Sequence, residues 1–210
     1  EALDLVANRL LAIRSEYGSS ALAGFGSAKC SNEEAYLFQK LIRAGLGTNN
    51  VDHCTRLCHA SSVAALMETI GSGAVTNVFA DVARSDVALV TGSNTTANHP
   101  VAATFIKQAA KRGTKLIVVD VRSHPLTDFA DHFVRIRPGT DVAFYNALMH
   151  VLIREDLVDA DFINARTEGF DGLREMVLEN YAPHQVASVC GVPVAEIEHV
   201  ARTIGTAGSM

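Results

Sequence analysis

Val87-Ala88-Leu89-Val90-Thr91-Gly92-Ser93-Asn94 and Lys115-Leu116-Ile117-Val118-Val119-Asp120-Val121-Arg122 are the two stretches that decide the fold. Each is a short apolar run with no polar alternation, the pattern of a strand buried on both faces, and each ends in a polar turn. Between them Pro100 to Lys111 has helical periodicity and Gly113 stops it, so the segment reads as a βαβ unit. A third strand, Asp131 to Ile136, exits at Pro138-Gly139-Thr140-Asp141 into an apolar helix from Val142 to Ile153. In an open α/β sheet the ligand crevice lies at the carboxyl ends of the strands, where these turns fall. Asp120, ending the second strand, can take ribose hydroxyls or the edge of a guanine; it can equally cap a helix or sit in a solvated turn.

Upstream, Leu3, Val6, Leu10, Leu11 and Ile13 predict an amphipathic helix over 2–17, and Ala21 to Gly26 reads as a short buried strand. Ser31-Asn32-Glu33-Glu34 has the form of a capping box opening a helix to about Ala44, closed by Gly45 and Gly47. The backbone amides from Ser27 to Asn32 are a suitable place for an anion. Short helices follow at Ser62 to Met67, ended by Gly71-Ser72-Gly73, and at Asn77 to Ala83. Another helical segment falls near Leu126, and beyond Leu157 short helices are expected over 161–166, 172–181, 183–189 and 193–204, as packing rather than chemistry. The expected class is α/β: an open, mostly parallel Rossmann-like sheet flanked by helices, preceded by a strand-helix piece of a neighbouring α/β domain.

The chain has 210 residues, 48% of them hydrophobic and 20% charged, which suffices for a real core and gives no sign of disorder. A net charge of -5 and the lack of a basic stripe exclude a nucleic-acid partner. The apolar runs fall far short of the roughly 20 residues that cross a bilayer. The N-terminus carries neither a basic patch nor a signal-peptide core, so a reducing, cytoplasmic location is expected, where thiols serve packing, metal or catalysis. The chain opens inside a helix without Met and stops after a helical pattern, as a piece of a larger polypeptide would.

Asn49 to Val63 concentrates the chemistry: His53, Cys54, Cys58 and His59 lie within one polar loop. Imidazoles and thiolates bind borderline and soft metals and carry protons near neutral pH. A closed zinc site needs a second ligand pair downstream, and the next cysteine is the distant Cys190. A C-x3-C-x2-C iron-sulfur arrangement needs Cys where Ser61 stands. Inert buried thiols remain a reading of the loop, and are the expected state of Cys30 and Cys190; Cys54 is expected to pack. A Cys-His nucleophile is possible, but adjacent side chains diverge; a metal thiolate with its neighbouring imidazole beside the open position uses the adjacency better. Gly24-Phe25-Gly26 lacks the third glycine of a dinucleotide fingerprint, and neither a G-x-S-x-G nor a P-loop occurs.

The string Gly47-Thr48-Asn49-Asn50-Val51-Asp52-His53-Cys54-Thr55-Arg56-Leu57-Cys58-His59, followed by Ser62-Val63-Ala64-Ala65-Leu66, resembles the active-site segment of molybdenum- or tungsten-dependent formate dehydrogenase alpha subunits, in the dimethyl sulfoxide reductase superfamily. The resemblance extends through Ser31 to Glu34, Gly92-Ser93-Asn94-Thr95, His99-Pro100, Asp120-Val121-Arg122, Arg137 to Asp141 and Arg166 to Phe170. It implies one Mo or W held between two molybdopterin guanine dinucleotides, with Cys58 as the protein's metal ligand and His59 as the active-site imidazole. It implies cofactor contacts at Ser27, Lys29, Asn32, Gly92, Ser93, Asn94, His99, Asp120, Arg122, Gly139 and Asp141. The implied reaction interconverts formate and carbon dioxide with two electrons. The implied domains are 1–52, part of an α/β domain contributing to pterin binding, and 53–210, a Rossmann-like guanine dinucleotide-binding domain truncated at its C-terminus.

The family's iron-sulfur module, with a lysine between cluster and pterin, belongs before this sequence. Its substrate-binding arginine and last pterin-binding domain belong after it, so these residues alone are expected to be inactive. The other partners implied are the rest of the same subunit and electron-transfer subunits. Related alternatives are a nitrate reductase, disfavoured by His59, and a scaffold that has lost the metal, disfavoured by Cys58 and His59 together.

Overall fold

The amphipathic pattern at the start of the chain forms helix α1 (Ala2–Tyr17) in the computed structural model, which describes residues 1–74 and 76–210. The chain divides into two compact units, Glu1–Thr76 and Asn77–Met210. In the first, α1 is followed by β1 (Gly24–Gly26), α2 (Asn32–Lys40), β2 (Val51–His53), α3 (Thr55–Cys58) and α4 (Ala60–Ile70). Its core is small: Leu22, Ile42 and Leu46 are buried, with Leu10 and Ile13 of α1, Phe38 and Val51 packed against them. The capping box is present as expected, with Glu34 N–H donating to Ser31 Oγ and Ser31 N–H to the Glu34 carboxylate. The predicted helix to Ala44 instead widens into a π turn over Leu41–Gly45.

β1 and β2 pair in parallel, Gly24 opposite Val51 and Gly26 opposite His53. Three residues are too few for a periodicity to reveal, and β2 was not anticipated. A Cβ at Gly24 would lie 2.6 Å from the Ile42 side chain and 2.9 Å from Phe38, so any larger residue in this strand would force those two side chains aside. The pairing with β1 ties Val51–His53 to what precedes it.

The second unit is a three-layer α/β/α arrangement. Its strands β3 (Val87–Thr91), β4 (Lys115–Asp120) and β5 (His132–Arg135) are parallel, in the order β3-β4-β5. Their alternating side chains build two separate cores. Val87, Ile117, Val119 and Val134 face a cluster completed by α7 (Asp141–Arg154), α10 (Pro183–Cys190) and α11 (Val194–Gly205). Ala88, Leu116 and Val118 face the other way, onto Ile106 and Ala110 of α6 (Pro100–Arg112), Leu126 and Phe129. The intervening α5 (Thr95–Asn98), α8 (Ala160–Arg166) and α9 (Phe170–Asn180) complete the helices, and a 3-10 turn over Phe79–Arg84 replaces the short helix expected there.

Register sets the strand ends together: Thr91 lies opposite Val119, and Asp120 opposite Arg135. The strand order does not reverse, so among the described residues the crevice is this row of carboxyl-end turns, without the switch point of a doubly wound sheet. No helix of the described residues is long and apolar enough to cross a membrane.

Candidate functional site

The cysteine loop is more ordered than a polar loop. Cys54 precedes α3, and its carbonyl accepts from Leu57 N–H and Cys58 N–H, which closes one helical turn with Cys58 at its end. His59 adopts φ -134° and ψ 23°, leaving that turn and starting α4, whose first closing bond runs from Val63 N–H to His59 C=O. The amides of Ala60, Ser61 and Ser62 therefore have no intrahelical acceptor, and the helix start favours an anion. Cys58 is an exposed free thiol. Among the described residues neither its Sγ nor the His59 ring makes a hydrogen bond.

Two thiol expectations are corrected. Cys30 is exposed, not buried, because it sits on the exit of β1, where its Sγ donates to Ser27 C=O at 2.9 Å. Cys54 is also exposed, because it turns the chain out of β2 rather than facing the core. Only Cys190 is buried as anticipated.

The carboxyl ends of β1 and β2 open onto a cavity of about 540 Å³ lined by Phe25, Ser27, Cys30, Glu34, Phe38 and His53, among others. Of the residues predicted to bind cofactor, Ser27 lines it; Cys58 and His59 do not. The run of amides predicted to hold an anion is partly engaged. Lys29 N–H donates to Ser27 Oγ, and Ser31 and Glu34 amides are used by the capping box, leaving Asn32 and Glu33 open at the start of α2. The Glu34 carboxylate on the cavity wall opposes a second negative charge.

In the second unit the predicted turns share the carboxyl edge of the sheet. Gly92 has φ +56° and donates to Val119 C=O, while Ser93 and Asn94 lead into α5, with Thr96 Oγ1 donating to Asn94 Oδ1. His99 joins α5 to α6 and is exposed. Asp120 Oδ1 accepts from Val121 N–H at 2.7 Å and Arg122 N–H at 3.3 Å, so part of its carboxylate organises its own turn; Arg122 is exposed. Pro138 followed by Gly139 at φ +79° matches a type II turn, closed by Thr140 N–H on Arg137 C=O, and Asp141 begins α7.

Two residues near these sites, Tyr145 and His124, escaped the sequence reading, and a third, His53, was read as part of the cysteine loop without its contact to Ser27. The Tyr145 hydroxyl donates to Thr91 Oγ1, bridging α7 to the end of β3, and burial pushes its phenol above the usual range, with the Asp141 charge adding to the shift. Its spacing of four from Asp141, one helical turn, was the available signal. His124 is buried with its Nε2 at 3.5 Å from Asp120 Oδ2, and neither ring nitrogen has a hydrogen-bond partner among the described residues. His53 bonds across the two strand exits, a contact that no local pattern announces.

The family model described as Molybdopterin oxidoreductase matches residues 1–199. F420-dependent formate dehydrogenase 1 subunit alpha of Methanococcus maripaludis is 41% identical over 209 residues, covering 100% of this chain and 30% of that protein. Formate dehydrogenase H of Escherichia coli is 40% identical over 210 residues, covering 100% of this chain and 29% of that protein. Among solved structures, acetylene hydratase from Pelobacter acetylenicus superposes with a TM-score of 0.72 at 30% identity, over 95% of this chain and 27% of that one. The chain thus spans about 30% of the length of these curated relatives. A match across nearly its whole length, on a fold with the same parallel α/β plan, leaves one assignment: the chain belongs to the molybdopterin oxidoreductase family.

Proposed function

We propose that the chain is the metal-liganding part of the alpha subunit of a molybdenum or tungsten formate dehydrogenase, which interconverts formate and carbon dioxide with two electrons. The observation that carries this reading is the junction at Cys58 and His59, where an exposed, unbonded thiol stands beside an unengaged imidazole at an open helix start. Whole-chain identities of 40–41% to relatives named formate dehydrogenase support it over the hydratase neighbour at 30%.

The residues present fit a metal that arrives with its own ligands. Cys58 Sγ would be the bond that this chain offers to the metal. Ser27, Lys29 and Asn32 in the first unit, and Gly92, Ser93, Asn94, His99, Asp120, Arg122, Gly139 and Asp141 in the second, would hold the two molybdopterin guanine dinucleotides. When bound, the metal-pterin group supplies a centre that takes up two electrons. The open amides at Ala60 to Ser62 favour the negative charge of formate, and a ring nitrogen of His59 orients its carboxylate or accepts its proton. An iron-sulfur cluster elsewhere in the subunit and electron-transfer subunits complete the path. With all four cysteines free, a reducing cytoplasm suits the protein.

The test is metal analysis and formate oxidation with an artificial electron acceptor, on the full-length protein with and without Cys58→Ser. The wild type should carry Mo or W and oxidise formate, and the variant should lose activity by at least about a hundredfold, as removal of a group bonded at the reacting centre does. Full activity in the variant sinks the assignment of Cys58.

A further inference from the structure

We infer that His53 is a positioning residue that ties the exit of β1 to the turn carrying Cys58. Its ring makes contacts in two directions. Nδ1 lies 3.2 Å from Thr55 N and 2.8 Å from Thr55 Oγ1, and Nε2 lies 3.0 Å from the Ser27 carbonyl. The partners assign the tautomer. A backbone amide can only donate, so Nδ1 is the unprotonated acceptor; a carbonyl can only accept, so Nε2 carries the hydrogen.

Thr55 is the first residue of α3, the single turn that ends at Cys58, and His59 N–H donates to its carbonyl. Ser27 C=O also receives the Cys30 thiol, and Ser27 Oγ receives Lys29 N–H, so the carbonyl that His53 holds belongs to a loop organised around Ser27. The His53 backbone is itself fixed, by pairing in β2 and by Asp52 Oδ1 accepting its N–H at 2.8 Å. A four-residue helix has little stability of its own, because nucleating a helical turn is unfavourable. The imidazole caps this turn at its start and anchors it to the neighbouring strand exit. The metal thiolate and the Ser27 loop are then set relative to each other by one neutral ring, a role that rests on the reading of Cys58 as the metal ligand.

Isosteric substitution tests this in the full-length protein. The Oδ1 of His53→Asn can stand in for Nδ1, the Nε2 of His53→Gln for the imidazole Nε2–H, and His53→Phe supplies neither. Hydrogen exchange is followed in peptides covering residues 27–30 and 54–58, with metal content measured alongside. Phe should speed exchange in both segments by about tenfold, the loss of roughly one net hydrogen bond in each. Asn should keep 54–58 protected while 27–30 opens, and Gln should do the reverse. Metal content should fall severalfold in the Phe variant and recover in at least one of the others. If all three variants open both segments equally, or none opens either, the latch is overturned; a split exchange pattern with unchanged metal content overturns its role in placing Cys58. Should Phe fail to fold, the opposite patterns of Asn and Gln still decide. Unchanged metal content in Cys58→Ser alongside the split pattern would refute the ligand assignment and, with it, the positioning of a metal thiolate, while the exchange data still establish the two contacts.

Discussion

Truncating Leu116 and Ile117, neighbours on β4 that face opposite cores, gives the sharpest test of the three-layer second unit. Leu116 is 0% exposed in the cluster against α6, and Ile117 is 1% exposed in the cluster against α7, α10 and α11. Each change to Ala removes a fully buried branched side chain and leaves a cavity that the sheet, paired on both sides of β4, cannot collapse. The expected cost is about 3 kcal/mol each, within the range of buried aliphatic truncations. If β4 exchanges its amide hydrogens by opening of the unit, this is roughly a hundredfold acceleration of its slowest amides. Since the two side chains share no cluster, only the β4 backbone joins them, and the coupling in a double-mutant cycle should stay below about 1 kcal/mol. Native-state hydrogen exchange on the full-length protein reads all three variants, and it needs no assumption that the whole subunit unfolds in one step. A coupling above about 1 kcal/mol, or an acceleration below tenfold for either single variant, would refute the picture of two independent cores.

Two further outcomes are expected. Ser31→Ala removes the side-chain acceptor of the capping box and should destabilise α2 by about 1 kcal/mol, read as faster exchange at Glu34 and Ala35; rates within twofold of wild type would show that the box contributes nothing. Glu155 receives hydrogen bonds from Arg202 and Arg154, in that order of effect, and its carboxyl is held at about 2 against an ordinary 4.5. A depressed acid contributes stability that is present above the unfolded value and lost as pH falls through the folded one, so the advantage of wild type over Glu155→Gln should shrink between pH 4.5 and about 2. It should also shrink with added salt, because the network is partly exposed, and a difference in melting temperature that stays constant across that window would contradict the assignment.

The candidate chemistry was legible to different depths. Cys58 and His59 stood out because thiols and imidazoles are rare and were adjacent, and the glycine-bearing turns because each ended an apolar run. What those turns do once folded was not legible. Asp120 could equally meet a ligand or serve a turn, and in the fold one of its oxygens serves the amides of Val121 and Arg122 while the other faces the buried His124. Cys30 and Cys54 looked like packing, yet both are exposed, because burial depends on which way a turn leaves its strand.

By itself the sequence determined the three strands of the second unit, the helices that follow the first and third of them, and the type of sheet. Continuous apolar runs of strand length, separated by a helical pattern and a glycine stop, have few other ways to bury their surface, and Lys115 to Asp120 and Pro100 to Arg112 form where expected. Tertiary structure alone decided β2, the division between the units and the bridge from His53 to Ser27. Three residues of strand carry no periodic signal, and β2 exists because Val51 to His53 pairs with a strand far earlier in the chain. The hydrogen bond from His53 to Ser27 spans 26 positions in sequence, so it depends on that pairing and on no pattern within the cysteine loop.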